Sequence, residues 1–204
     1  STPSVAFTTA NWNIPQTITV TGIPDAIDDG DVAFSILTTE AVSGDSNYNS
    51  LDASNVSVTN TDDDAAGIIV TPTSGLITSE IGGETPTFTV VLTSQPTANV
   101  VINLTSSDTS EGVVGPDRLT FTSANWNVPQ TVTLFGANDV VDDGDILYSI
   151  VTAPATSGDP AYSGMNASDV SATNIDSDVA GFFVNPISGL TTTEAGGTAH
   201  FTVV

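Results

Sequence analysis

The sequence is poor in basic and reactive side chains. Among its 204 residues there is no cysteine and no lysine, and Arg118 and His200 are the single arginine and the single histidine. The absence of cysteine excludes disulfides, thiolate catalysis and zinc sites built on thiolates. One histidine alone argues against a Ser-His-Asp catalytic set. No apolar run approaches the roughly 18 residues of a membrane-spanning helix.

The shortage of basic residues leaves 24 acidic residues almost unopposed, and the formal net charge is −23 at pH 7. Such a surface repels phosphate backbones and anionic lipids, so we expect no nucleic acid partner and no membrane insertion in this segment. With 39% hydrophobic and only 12% charged residues, the composition is typical of a folded chain rather than a disordered acidic tail. Because the acids are grouped at particular points, divalent cations are the expected neutralising partners.

The chain contains a long internal repeat. The segment Asn125–Asp145 (NWNVPQTVTLFGANDVVDDGD) repeats Asn11–Asp31 (NWNIPQTITVTGIPDAIDDGD) with thirteen of 21 positions identical, 114 residues later. This period exceeds the 20 to 50 residues of solenoid repeats, so each unit should close its own core. We expect residues 1–66 to be the C-terminal part of a first repeat, residues 67–180 to be a complete β-sandwich repeat, and residues 181–204 to be the N-terminal strands of a third.

Such a chain is expected to be part of a longer array, with neighbouring copies of the repeat as its partners. A closed ring, in which the tail of one molecule completes the head of the next, is the alternative. The ring is disfavoured because the counterpart of Leu92–Val114 would be missing from a domain completed in that way.

Helix signals are nearly absent, whereas β-branched residues alternate with polar ones over short runs bounded by Gly, Pro, Asn and Asp. In Thr87–Leu92 the apolar side chains fall on alternate positions, as a half-buried antiparallel strand requires. Seven such runs in about 110 residues predict an all-β fold of tandem immunoglobulin-like seven-stranded β-sandwiches. The strands are predicted at Gly67–Thr71, Thr85–Thr93, Asn99–Thr105, Arg118–Thr122, Gln130–Phe135, Ile146–Thr152 and Ser168–Asn174.

Acidic residues form four groups, each in a predicted loop or at a strand end. In a sandwich whose strands alternate in direction, these positions fall at one tip, so the carboxylates should converge at the junction with the next domain. The groups are Glu80 (repeated as Glu194); Asp108 with Glu111; Asp139, Asp142, Asp143 and Asp145 (repeated from Asp25, Asp28, Asp29 and Asp31); and Asp176 with Asp178 (repeated from Asp62 and Asp64).

Calcium is the cation that this arrangement favours. Crowded carboxylates repel one another and raise one another's pKa unless a cation neutralises them. Calcium takes roughly six to eight oxygen ligands in irregular geometry, whereas magnesium demands a stricter octahedron and transition metals prefer His or Cys. The Asp-Asp-Gly-Asp run alone is equally consistent with a solvated turn. Four groups that recur 114 residues apart favour calcium.

These motifs together resemble the Calx-β domain. They are a Glu followed by Gly-Gly and a Phe-Thr-Val strand, an acid in the third turn, an Asp-rich loop and a terminal Asp-x-Asp. The family is named after calcium-binding regions of sodium/calcium exchangers and occurs in tandem arrays of bacterial surface proteins and adhesins. Asn138 and Ser177 depart from its pattern, which implies weaker binding at the second junction. The resemblance implies calcium ligation by Glu80, Asp108, Asp139, Asp143, Asp145, Asp176 and Asp178, by Asp25, Asp29, Asp31, Asp62 and Asp64 in the first copy, and by Glu194 in the third.

The predicted function is a calcium-stiffened structural repeat of an extracellular fibre or surface adhesin. A rod of this kind would hold a distal domain with a surface ligand away from the cell. Catalysis is not expected, since glycoside hydrolysis needs one acid of raised pKa in a substrate cleft and acids that recur in every copy are more simply structural. The alternative is a carbohydrate- or surface-binding module that uses Trp12 and Trp126 or threonine-rich sheet faces such as Thr131 and Thr133.

Overall fold

The computed structural model describes residues 4–204, so the first three residues of the predicted first segment lie outside it. The chain divides into two compact units, the first ending at Asp63 and the second running from Asp64 to Val204. The predicted domain boundaries at residues 66 and 180 stay predictions. Within the described residues, no helix is long and apolar enough to cross a membrane.

All regular structure in residues 4–204 is β, which confirms the predicted fold class. The strands are β1 (Val32–Ile36), β2 (Val56–Asn60), β3 (Ile68–Thr71), β4 (Leu76–Ser79), β5 (Thr87–Leu92), β6 (Val100–Ser106), β7 (Gly112–Gly115), β8 (Arg118–Phe121), β9 (Gln130–Gly136), β10 (Ile146–Thr152), β11 (Thr156–Ser157), β12 (Val170–Ile175), β13 (Val184–Asn185) and β14 (Thr202–Val203).

In the second unit, ten of these strands form a two-layer sandwich. One sheet has the order β3-β5-β9-β7, and all of its pairs are antiparallel. The other has the order β11-β6-β10-β12-β4, with β8 also paired to β6, and its β12–β4 pair is parallel. Each of the seven predicted strands is present with its ends shifted by at most two residues, and β4, β7 and β11 are additional short strands.

The core lies between the two sheets and follows the period-two pattern of the sequence. Phe88, Val90 and Leu92 alternate along β5 and are all buried, and Val100 and Ile102 do the same on β6 in the opposite sheet. Trp126 is half-buried and packs against this core, as expected of an aromatic residue that seals one end.

The first unit contains one antiparallel pair, β1–β2, in which Phe34 lies opposite Val58. The same register recurs in the second unit, where Tyr148 on β10 lies opposite Ala172 on β12. Residues 181–204 form the short hairpin β13–β14.

Candidate metal centre

Four chain segments bring carboxylates to one tip of the sandwich. Glu80 follows β4 directly, Glu111 directly precedes β7, and the loop of residues 137–145 connects β9 to β10. Residues 176–178 follow β12. Since β4 and β12 are parallel neighbours, both end at the same tip, and the backbone amide of Glu80 donates to the carbonyl oxygen of Ile175 at 3.2 Å.

Within the described residues, two groups of three carboxylates have the spacing of a cation site. Glu80, Asp139 and Asp178 each place one carboxylate oxygen within 4.8 Å of the others, and so do Glu111, Asp139 and Asp143. Two oxygens bound to one calcium ion at about 2.3 to 2.6 Å are at most about 5 Å apart, so both triads fit calcium. Asp139 belongs to both triads. Backbone carbonyls or water would supply the remaining ligands.

Two of these carboxylates are buried: the residue exposure is 6% for Glu80 and 7% for Glu111. Oε2 of Glu80 accepts hydrogen bonds from the backbone N–H of Ser177 at 2.9 Å and from its hydroxyl at 3.2 Å. Burial raises the pKa of Glu111, and the charges of Asp143 and other nearby aspartates raise it further, against a lowering contribution from Asn174. A bound cation would relieve this electrostatic penalty.

The third carboxylate of the first triad belongs to Asp178. Its Oδ2 is buried and has no hydrogen-bond partner among the described residues. A buried carboxylate oxygen without a partner is rare because it loses water without compensation. The atoms that approach Asp178 in the triad are oxygens of Glu80 and Asp139, which donate no hydrogen bond when ionised. A set made only of carboxylates fits a hard cation such as calcium.

The other aspartates of the region connect loops to one another and lie outside both triads. Asp176 accepts from the backbone N–H groups of Asp178 and Gly144, each at 2.7 Å, and these hydrogen bonds lower its pKa. Asp145 accepts from the N–H of Asp176 at 3.2 Å. Asp142 accepts from the N–H of Ala180 at 2.7 Å. Their contacts hold the acidic loop against the segment that follows β12.

Asp108, which the family resemblance implies as a ligand, also lies outside the triads. It is exposed, and its carboxylate accepts hydrogen bonds from the side chain and the backbone N–H of Ser110, which lower its pKa. Glu111, in the same turn, points inward in its place. The following Gly112 passes close to the core, since a Cβ there would lie 2.5 Å from the hydroxyl oxygen of Tyr148. No local pattern in the sequence distinguishes the two acids of this turn.

The first copy reproduces the loop contacts but forms no such triad among the described residues. Asp62 accepts from the N–H of Gly30 at 2.6 Å, and its own N–H donates to Asp31 at 2.9 Å. Asp25 accepts from the N–H of Ile27 at 3.0 Å. The remaining predicted ligands are Asp29, Asp64 and Glu194. Asp29 is exposed, and its N–H donates to Asp62. Asp64 begins the second unit, and Glu194 lies in an exposed turn closed by the Thr193–Gly197 bridge.

No protein-family model and no curated protein matches the sequence. Among solved structures, the apo form of the Calx CBD1 domain matches at 15% identity and a TM-score of 0.41, covering 54% of this chain and 96% of that one. The periplasmic chaperone SfaE matches at 14% identity and a TM-score of 0.42, covering 53% of this chain and 57% of that one. Domains 4 and 5 of the S-layer protein SbsC match at 19% and 0.34, covering 59% of each chain.

The chain therefore spans less than two thirds of the SfaE and SbsC structures that it matches. TM-scores below 0.5 at such identities carry no argument about function. The fold assignment rests instead on the strand pairing of the chain itself.

Proposed function

We propose that the complete repeat is a calcium-stabilised structural module of an extracellular fibre or surface adhesin, acting as an extender and not as a catalyst. The observation that carries this proposal is the buried Oδ2 of Asp178, which has no hydrogen-bond partner among the described residues, in a carboxylate that forms a triad with those of Glu80 and Asp139. A calcium ion at this point would neutralise three carboxylates and satisfy that oxygen.

The proposed ion has a structural consequence because its ligands are far apart in sequence. Glu80, Asp139 and Asp178 belong to three segments that meet at one tip. A cation that binds only when these segments are together stabilises the folded state by mass action. In a chain without cysteine, such a cation would crosslink distant segments as disulfides do in many small secreted domains.

The repeat and the site composition support the extracellular assignment. Calcium sites of extracellular modules work at about 10⁻⁴ to 10⁻³ M, where a few carboxylates with carbonyl and water ligands suffice. The sequence resemblance to Calx-β domains, which occur in tandem arrays of surface proteins, points the same way. A tandem array of such modules would form an extender whose neighbouring partners are further copies of itself.

Thermal unfolding of the 204-residue chain in millimolar calcium, in magnesium and in chelator tests the proposal. We expect calcium to raise the Tm by several degrees and magnesium to raise it much less. Asp178→Asn should remove most of the calcium-dependent rise. Asp108→Asn, the same substitution at an exposed acid outside the triads, should keep it. Equal Tm values in calcium and in chelator for the unsubstituted chain would refute the proposal.

A further inference from the structure

Beneath the triads lies a buried amide, Asn174 on β12, which is only 1% exposed. Its Oδ1 accepts a hydrogen bond from the hydroxyl of Thr78 at 3.0 Å. Its Nδ2 donates to the carbonyl oxygen of Ala137 at 3.0 Å and to Oε2 of Glu111 at 3.4 Å. One side chain thus joins three segments that are distant in sequence.

Every partner of this amide is a triad member or lies two residues from one. Thr78 precedes Glu80 by two residues, Ala137 precedes Asp139 by two, and Glu111 is itself a triad carboxylate. Asn174 also lies on the strand that leads to Asp178. The amide therefore joins the bases of all four ligand-bearing segments.

The surroundings of the amide leave little room for another arrangement. At Gly136, the residue before Ala137, a Cβ would lie 2.7 Å from Oδ1 of Asn174 and 2.7 Å from the carbonyl oxygen of Ser79. The hydroxyl of Thr78 is also 3.2 Å from that of Tyr148, so the donor that fixes the amide is itself held in place. An amide fits this position because it supplies an acceptor on one side and donors on the other.

We propose that Asn174 is a positioning residue of the calcium site. It holds Glu111 and the start of the acidic loop at the spacing that lets Asp139 belong to both triads. This inference rests on the proposed function, and it assigns to Asn174 the part that outer hydrogen-bond partners play in other metal sites. Loss of such a partner typically lowers metal affinity by about 10- to 100-fold.

Calcium titration calorimetry on the folded 204-residue chain tests this role, with folding of each variant checked by circular dichroism. Asn174→Leu, which keeps the branched shape and the number of side-chain heavy atoms but neither donates nor accepts, should lower calcium affinity at least about tenfold. Asn60→Leu is the matched control, because Asn60 is the counterpart of Asn174 in the first unit and approaches Gly22 in the same way. Its calcium affinity should equal that of the unsubstituted chain.

Thr78→Val gives a milder test that retains the volume of the side chain and removes only the hydroxyl that orients the amide. Thr78→Val should weaken calcium binding by a smaller factor than Asn174→Leu does. If Asn174→Leu does not fold, the calcium affinity of Thr78→Val tests the positioning role. Unchanged calcium affinity in a folded Asn174→Leu or Thr78→Val variant with a lowered Tm would overturn the positioning role and leave the proposed function intact. Absence of calcium binding in the unsubstituted chain would overturn both.

Discussion

Residues 4–66 and residues 118–180 are two copies of one sequence pattern that share their local hydrogen bonds and differ in burial. In both copies a threonine N–H donates to the asparagine that precedes the tryptophan, at 2.5 Å from Thr8 to Asn11 and at 2.6 Å from Thr122 to Asn125. The pairing register of β1–β2 likewise equals that of β10–β12. Yet Tyr48 is 60% exposed, whereas its counterpart Tyr162 is fully buried.

This difference separates what a short segment encodes from what a whole domain encodes. Turns and strand registers depend on residues close in sequence or directly opposite, and both copies contain them. The core and the triads also need β3 to β7, whereas β1 and β2 are the strands that the first copy forms among the described residues. A substitution of a core residue should therefore have very different effects in the two copies, and a purely local one should have the same effect.

The largest difference in stability loss between the two copies is expected for substitution of the repeated tyrosine. The hydroxyl of Tyr162 donates to the carbonyl oxygen of Ser94 at 2.7 Å and accepts from its N–H at 3.0 Å, inside the core. Tyr162→Ala should lower the free energy of unfolding by about 3 to 5 kcal/mol. Tyr48→Ala, at an exposed side chain, should change it by less than about 0.5 kcal/mol. Urea unfolding measures both, and equal losses would contradict the assignment of the core to the second copy.

A smaller difference in stability loss is expected between substitutions of Asp159 and of its counterpart Asp45. Although burial raises the pKa of Asp159, hydrogen bonds from the N–H groups of Thr97 at 2.7 Å and Ala161 at 2.9 Å lower it overall. Asp159→Asn should cost about 1 to 3 kcal/mol. Asp45→Asn, at an exposed residue, should cost less than about 0.5 kcal/mol.

The lowered pKa also fixes the pH dependence of this effect. The stabilisation by Asp159 is complete above its ordinary pKa near 3.8 and is lost as the pH falls through the lower folded-state value. The stability difference between the unsubstituted chain and Asp159→Asn should therefore shrink as urea unfolding is repeated from pH 6 down to about pH 3. A difference that grows on acidification would reverse the assigned sign.

The smallest loss of stability is expected from alanine substitution of two loop glycines, and it should be equal in the two copies. Gly30 and Gly144 have the same left-handed backbone, with φ of 78° at each, and open space around the position of a Cβ. Alanine at either position should cost about 1 kcal/mol for conformational reasons alone. Hydrogen exchange of the two loop amides, which donate to Asp62 and Asp176, should accelerate several-fold in each variant. A strong effect in one copy alone would show that the loop conformation depends on the surrounding domain.

The same distinction explains which parts of the fold could be predicted from the sequence. Alternation of apolar and polar residues located β5, β6 and β10 because a half-buried strand imposes a period of two. The strand β7 was missed because Gly112 and Gly115 enclose only two valines, too few to show alternation. The two-residue strand β11 is shorter still and exists through its pairing with β6.

The clustering of the acidic residues was predictable in the same partial way. The repeat and the family resemblance named Glu80, Asp139, Asp143 and Asp178, all of which the structure brings into the two triads. Glu111 was seen in the sequence only as a neighbour of Asp108, because the burial of one of two acids in a single turn depends on tertiary packing. The contacts of Asp176 with Gly144 and Asp145 bridge about thirty residues, and no local pattern reveals them.

Calcium binding by two matched variants tests the account most directly. Asp139 belongs to both triads, whereas its counterpart Asp25 belongs to none among the described residues, and the two carboxylates accept the same local hydrogen bond, from Val141 and Ile27. Titration calorimetry should show calcium binding lost in Asp139→Asn and unchanged in Asp25→Asn. Equal binding in both variants, or equal loss, would contradict the assignment of calcium to the tip of the complete sandwich.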